Sequence, residues 1–465
     1  MIPKTQQVVI RYRLPRVALL TTIGSLTTAP HAGPRYAPEA LAVAATSVAY
    51  RLNSYAHSPH DTMYAFTPAF EAPTGSPIRE LFKYLGQPGM ISFAGGYPAS
   101  DLFDREGLDA AAARASKQAA LCLQYGPTDG LPVLKEELAH LMTRRGTPCT
   151  SQELLVTTGS QQGFDLLLRV LVSPGDVVLV EQPAYPAALQ ALKLQQAEVV
   201  TLPVDQDGLD VAALAALLDA GTLRHAPKLL YTVPTFANPT GATLSYERRV
   251  ALLKLAVRYR FLVVEDDPYG DLRFAGQALP SLLALSAEVP GARDWVVHFS
   301  SLSKIVAPGL RVGWTVAHAE ILRRCVVAKQ TVDLCSSSWT QAIAAGYLAS
   351  GALEHHLPQI VSAYALKCTT LCDALEARLR DAVAFHRPAG GMFVWARLTG
   401  GLDASAYLKI CIEQNVMFVP GAAFYKDKVD VSSLRLSFAG PGVGDIEEGV
   451  GRLGRALEMH GDIIC

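Results

Sequence analysis

Four short stretches carry residue types able to do chemistry together. Ser301-Leu302-Ser303-Lys304 sets an amine beside two hydroxyls, and Arg311 follows seven residues later. Glu265-Asp266-Asp267-Pro268-Tyr269 sets a carboxylate and a phenol three residues apart. A buried carboxylate can hold a heteroaromatic nitrogen protonated, and a phenol can hydrogen-bond a phenolate-like oxygen. Asn238-Pro239-Thr240-Gly241 is a rigid turn able to aim the Asn238 amide. Thr158-Gly159-Ser160-Gln161-Gln162-Gly163 reads as a turn that opens a helix. Backbone N–H groups there make an anion site, and glycine permits close approach of a phosphate. Singly, each stretch also has an ordinary structural reading: a solvated lysine, a turn-forming acid such as Asp267 before proline, a tight Asn-Pro turn, a helix cap.

The elements that must position these residues follow from hydrophobic pattern. Short Val- and Leu-rich runs predict strands at 154–157, 177–180, 199–202, 229–232, 261–264, 296–299 and 311–316. Amphipathic helices separate several of them. In 211–220, Val211, Leu214, Leu217 and Leu218 form one stripe after Asp210 as N-cap, and Gly221 stops the helix. Apolar strands alternating with helices predict an α/β fold, a mostly parallel seven-stranded sheet covered on both faces, whose ligands sit beyond the carboxyl ends of strands. The four stretches fall at such ends. Further helices are predicted at 105–119, 131–144, 319–332, 337–350, 352–380, 404–415 and 445–459, with strands at 391–398 and 434–438. This remainder reads as a smaller α+β domain built from both ends of the chain.

Composition narrows the functions. The 465 residues hold 41 Lys plus Arg against 42 Asp plus Glu, so charge alone gives no reason to expect a nucleic-acid partner. Half the residues are hydrophobic, yet no apolar run reaches the roughly 18–20 residues that span a bilayer, so no membrane partner is expected. Residues 1–62 differ from the rest: six cations (Lys4, Arg11, Arg13, Arg16, Arg35, Arg51) face two acids (Glu39, Asp61). That leaves a net −5 for 63–465. The segment reads as an N-terminal extension, disordered or upstream of a working start at Met63, with a targeting peptide as the competing reading. The eight cysteines show no CxxC pair and no metal-ligand spacing, so reduced thiols, no metal and a cytoplasmic setting are expected.

Together the motifs resemble one family, the fold-type I, pyridoxal-phosphate-dependent aminotransferases of class I/II, nearest the kynurenine/2-aminoadipate/aromatic subgroup. The resemblance runs from about Phe66 to the C-terminus. Besides the four stretches it rests on Ser76-Pro-Ile-Arg-Glu-Leu, Ile91-Ser-Phe-Ala-Gly-Gly-Tyr-Pro, Leu123-Gln-Tyr-Gly, Glu181-Gln-Pro-Ala-Tyr and Leu434-Arg-Leu-Ser-Phe, all in the family's order. It departs from the family at Ala237, often Gln, and at Tyr97, often Leu.

The resemblance implies pyridoxal 5'-phosphate as cofactor and Lys304 as the lysine that holds it covalently and moves protons. Asp266 is implied as partner of the pyridine nitrogen, Asn238 and Tyr269 as partners of the ring oxygen, and Tyr185 as the aromatic stacked on the ring. Ser160, Gln161, Ser301, Ser303 and Arg311 are implied to hold the phosphate, with Tyr125 reaching it from the second subunit of a homodimer with shared active sites. Arg435 is implied to grip the substrate α-carboxylate, with Gly95, Gly96 and Asn238 lining the pocket. The implied activity is amino transfer from an aromatic, aliphatic or 2-aminoadipate-like L-amino acid to a 2-oxo acid such as 2-oxoglutarate. The competing functions are another reaction on the same scaffold, such as elimination or decarboxylation, and a transcriptional regulator with an aminotransferase-like sensor. The implied division is an N-terminal arm with part of the small domain at 63–145, a large cofactor domain at 146–350 and a C-terminal small domain at 351–465.

Overall fold

The computed structural model describes residues 64–71, 75, 77–427 and 429–464; the expectations for 1–62 lie outside them. The first strand, β1 (Ile91–Ser92), pairs in parallel with β12 (Val416–Met417), so an N-terminal segment joins the C-terminal part of the chain. The main sheet comprises β2 (Leu154–Thr157), β3 (Val177–Gln182), β4 (Glu198–Asp205), β5 (Gly208–Leu209), β6 (Leu229–Thr232), β7 (Leu262–Asp266), β8 (Val296–Ser301) and β9 (Gly313–Val316). Its order is β2-β9-β8-β7-β6-β3-β4-β5. Strands β4, β3, β6, β7 and β8 pair in parallel; β9 runs antiparallel to both neighbours, β8 and β2. Every residue of β2, β6, β7, β8 and β9 is buried, the signature of a sheet covered on both faces.

The covering helices form where the stripes predict. In the Val211–Ala220 helix, Asp210 accepts from the Ala213 N–H, and Gly221 adopts φ 60 at the stop. Such a cap is worth about 1 kcal/mol. A second sheet, β10 (Val383–Phe385), β11 (Phe393–Leu398), β14 (Ser433–Ser437) and β13 (Val419–Pro420) in that order, is antiparallel throughout. The helices Ala352–Arg378, Ala404–Glu413 and Val443–Ile464 accompany it in the chain. Residues Phe66–Cys465 form one compact unit. Among the described residues no helix is long and apolar enough to cross a membrane.

Two expectations need correction. The main sheet has eight strands, because the two-residue β5 folds back on β4 across a tight turn and is too short to show a period. The strand expected from Arg311 begins at Gly313. Arg311 instead closes the short helical turn Pro308–Leu310 in left-handed conformation, φ 53, which turns its side chain back toward the Thr158 turn.

Candidate active site

The carboxyl ends of β6, β7 and β8 present the predicted residues to one crevice. Asp266 is the last residue of β7 and is buried. Tyr231 of β6 donates its hydroxyl proton to Asp266 Oδ2 at 2.6 Å, while Oδ1 is enclosed with no hydrogen-bond partner among the described residues. Burial pushes the Asp266 carboxyl up to about 6, opposed by the Tyr231 bond and the His298 charge and assisted by Asp267. An enclosed carboxylate oxygen lacking a donor fits a protonated ring nitrogen.

The loop after β6 is fixed from beneath. Arg249, fully buried, donates to the carbonyls of Pro234, Leu244 and Pro280 and to Thr235 Oγ1, at 2.7–3.0 Å. That grip sets the segment bearing Asn238. Asn238 Oδ1 accepts from Arg435 Nη1 at 2.8 Å, and the Asn238 side chain also hydrogen-bonds the Tyr269 hydroxyl. Burial, then the neighbouring Tyr185, pushes the Tyr269 phenol well above its ordinary value.

Arg435, on β14, is 2% exposed. Its Nη2 donates to the Ala94 carbonyl at 2.7 Å, its Nε has no partner among the described residues, and its guanidinium lies 4.3 Å from the Phe393 ring centroid and 5.0 Å from that of Phe424. No carboxylate within the described residues forms an ion pair with it. Burial lowers it to about 10, against the raising influence of Tyr269 and Tyr185. A buried cation offset only by carbonyls and ring faces is costly, and an arriving carboxylate relieves that cost.

Lys304 closes a short helical turn after β8, and its Nζ donates to the Gly96 carbonyl at 2.9 Å. Burial, then the cations Arg435 and Arg311, lowers the amine to about 8. A neutral amine is therefore accessible near neutral pH, the form needed to attack a carbonyl. Gly95 and Gly96 run beside it. A Cβ at Gly96 would stand 3.2 Å from the Phe393 ring, and one at Gly95 2.9 Å from the Tyr97 ring, so glycine lets this backbone approach.

The Thr158–Ser160 turn is built by close backbone contact. Gly159, φ 83, caps the Ser160–Leu171 helix, and the Arg311 guanidinium lies against it: a Cβ there would be 2.6 Å from Nη2. Arg311 Nη2 also donates to the Thr158 carbonyl at 3.1 Å. Gly313 opposes this turn so tightly that a Cβ would meet the Gly159 carbonyl carbon and Ser160 nitrogen at 2.6 Å. Ser301 Oγ accepts from the Ser303 N–H at 3.0 Å and sits 2.7 Å from Ser303 Oγ. N–H groups at a helix start, hydroxyls and an arginine with no carboxylate partner among the described residues fit a phosphate.

The structure thus brings Lys304 to Gly96 and Arg435 to Asn238 and Tyr269, with Lys304 electrostatically coupled to Arg435 and Asp266 to Tyr269 and Tyr185. Tyr185, partly buried before the Pro186–Leu194 helix, has its phenol raised by burial and then by Asp266. Gln161 is exposed beside Ser160. Tyr125 stands apart, 78% exposed. Asp267 accepts from the Gly270 N–H at 2.9 Å, as a turn former does. Tyr231, Phe393, Phe424 and the Ala94 carbonyl join the site without having been expected from the sequence. So does Arg79, whose charge is felt by Tyr185 and Tyr97. Arg79 and Ala94 stand in quoted motifs; the three aromatics read as core residues.

A mostly parallel α/β sheet whose strand ends carry a lysine, a buried aspartate and a glycine-capped helix start defines a fold-type I pyridoxal-phosphate enzyme. The aminotransferase class I and II family matches residues 100–453, and the chain belongs to it. It is 39% identical over 386 residues to an aromatic-amino-acid aminotransferase of Thermococcus litoralis, covering 82% of this chain and 91% of that one. It is 40% identical to a 2-aminoadipate transaminase of Thermus thermophilus, covering 82% and 94%. The solved α-aminoadipate aminotransferase of Thermus thermophilus, complexed with N-(5'-phosphopyridoxyl)-L-leucine, superposes with a TM-score of 0.78 at 38% identity, covering 85% of this chain and 97% of that one. The protein is a pyridoxal-phosphate-dependent aminotransferase that uses amino acids and 2-oxo acids.

Proposed function

We propose that the enzyme transfers the amino group of aromatic, aliphatic or 2-aminoadipate-like L-amino acids to a 2-oxo acid such as 2-oxoglutarate, using the residues above. The observation that carries the site reading is Arg435, a buried guanidinium balanced by no acid among the described residues, which a substrate α-carboxylate complements. Relatives named for aromatic amino acids and for 2-aminoadipate support the donor range.

In this reading Asp266 would hold the ring nitrogen protonated, Asn238 and Tyr269 would hydrogen-bond the ring oxygen, and Tyr185 would lie against the ring. Ser160, Gln161, Ser301, Ser303 and Arg311 would hold the phosphate. Bound pyridoxal phosphate supplies the electron sink that makes the amino acid Cα–H acidic. Lys304, whose amine is lowered to about 8, takes that proton and returns it as acid. Arg435 and Asn238 fix the α-carboxylate, which orients the Cα–H toward Lys304.

The reading includes a homodimer in which Tyr125 reaches the phosphate of the second copy; the exposure of Tyr125 and of its neighbour Leu123 supports it. It also includes the three-part division of 63–465. Residence in a reducing cytoplasm is supported by seven described cysteines that are free thiols.

A panel of amino donors assayed with 2-oxoglutarate and with pyruvate tests the substrate range. Turnover is expected with aromatic and 2-aminoadipate-like donors and is expected to vanish in Lys304→Ala. Turnover restricted to donors outside these classes refutes the range, and full turnover by Lys304→Ala refutes the assignment of the base.

A further inference from the structure

Lys329 is a charged residue the chemistry above does not use, yet its side chain is 0% exposed. It lies in the last turn of the Ala319–Val332 helix and pairs with Asp333, the residue that caps the helix end, with both carboxylate oxygens 2.7 Å from Nζ. An acid at a helix C-terminus opposes the helix dipole, and a buried ion pair adds little net stability. Helix stability therefore does not account for the pair.

Its contacts point elsewhere. Asp333 Oδ2 accepts from Gln162 Nε2 at 2.7 Å and from Thr158 Oγ1 at 3.4 Å. Gln162 Oε1 accepts from the Thr158 N–H at 2.7 Å and from Lys329 Nζ at 3.3 Å. Thr158 Oγ1 is also 3.2 Å from Ser336 Oγ. Thr158 is thus held by its backbone N–H and its hydroxyl from this side, and by its carbonyl from Arg311 on the other. The next two residues are Gly159 and Ser160, the start of the anion-binding helix.

We propose that the Lys329–Asp333 pair is a positioning device for the Thr158–Gln162 turn, setting the enzyme's affinity for the cofactor phosphate without touching it. The proposal rests on the phosphate-site reading of that turn. Asp333 is the hub: with its charge balanced by Lys329, its Oδ2 fixes Gln162 and Thr158 together, so the helix-start N–H groups keep one direction.

The test compares pyridoxal phosphate with pyridoxal, which lacks the phosphate, by equilibrium titration of the cofactor-free protein. Asp333→Asn should weaken pyridoxal phosphate binding by about 10–100-fold, the usual effect of removing an outer-sphere partner. Its pyridoxal affinity should stay within about threefold of the parent, because the ring contacts are untouched. The double variant Lys329→Met/Asp333→Leu, which removes the pair without stranding a charge, should show the same selective loss and serves if the single variant folds poorly. Equal loss of both ligands, or loss of neither, overturns the proposal. A wild-type protein that does not prefer pyridoxal phosphate over pyridoxal overturns the phosphate-site reading beneath it.

Discussion

Replacing Asp266 by Asn is expected to stabilise the cofactor-free fold while weakening cofactor binding. Asp266 is buried and its carboxyl is pushed up to about 6 by burial, from an ordinary 3.8. A carboxyl raised on folding favours the fold when protonated: that contribution is complete below about 3.8 and is lost as pH rises through about 6. At 1.36 kcal/mol per pH unit between those values, the charged carboxylate is a burden of about 3 kcal/mol above pH 7 and about half that at pH 5. Asn is neutral throughout and its carbonyl can still accept from the Tyr231 hydroxyl. Urea unfolding of both cofactor-free proteins at one protein concentration should show Asp266→Asn the more stable, with a gain that grows from about pH 5 to about pH 7.5. No gain, or a gain independent of pH, refutes the reasoning. Bound cofactor should reverse the ranking, because the ring-nitrogen proton then compensates the carboxylate.

Three further outcomes follow from the site geometry. Arg435→Ala should raise the apparent KM for amino acid by a loss of about 2–4 kcal/mol. Arg435→Lys should recover little of it, since lysine lacks the fork that meets two oxygens; steady-state kinetics on one donor decides both. Gly313→Ala places a Cβ 2.6 Å from the Gly159 and Ser160 backbone, so the anion-binding turn must move and fluorescence titration should show weaker pyridoxal phosphate binding.

Most of the scaffold was legible because buried parallel strands leave short Val/Leu runs that no amphipathic helix shares. Such runs marked seven of the eight main-sheet strands, five of which pair in parallel; β5 is only two residues long. The chemistry-bearing stretches were legible because crevices lie beyond strand ends, where polar residues interrupt those runs. What supports them was not. Tyr231 sits inside Leu229-Leu230-Tyr231-Thr232, an apolar run in which its hydroxyl gives no sign of meeting Asp266. Phe393 and Phe424 read as core, and only the fold brings both rings against Arg435. Lys329 reads as the solvated side of a helix, since its partner Gln162 lies far away in sequence. Arg311 read as the start of a strand because its left-handed turn leaves no mark on the residue type.

The reversed strand β9 governs how this enzyme tolerates insertions and deletions. Its first residue, Gly313, is paired with Thr157 on one side and Ser301 on the other, the last residues of β2 and β8. One position therefore aligns the turn at 158–160 with the Ser301–Lys304 turn. The crossovers between β2 and β8 can gain or lose residues in their surface loops without disturbing that alignment. A single residue added between Arg311 and Gly313, or within β9, shifts the pairing by one and turns every β9 side chain to the other face. Length variants in a mutational library should accordingly be depleted over 311–316 and permitted in exposed loops such as 222–226.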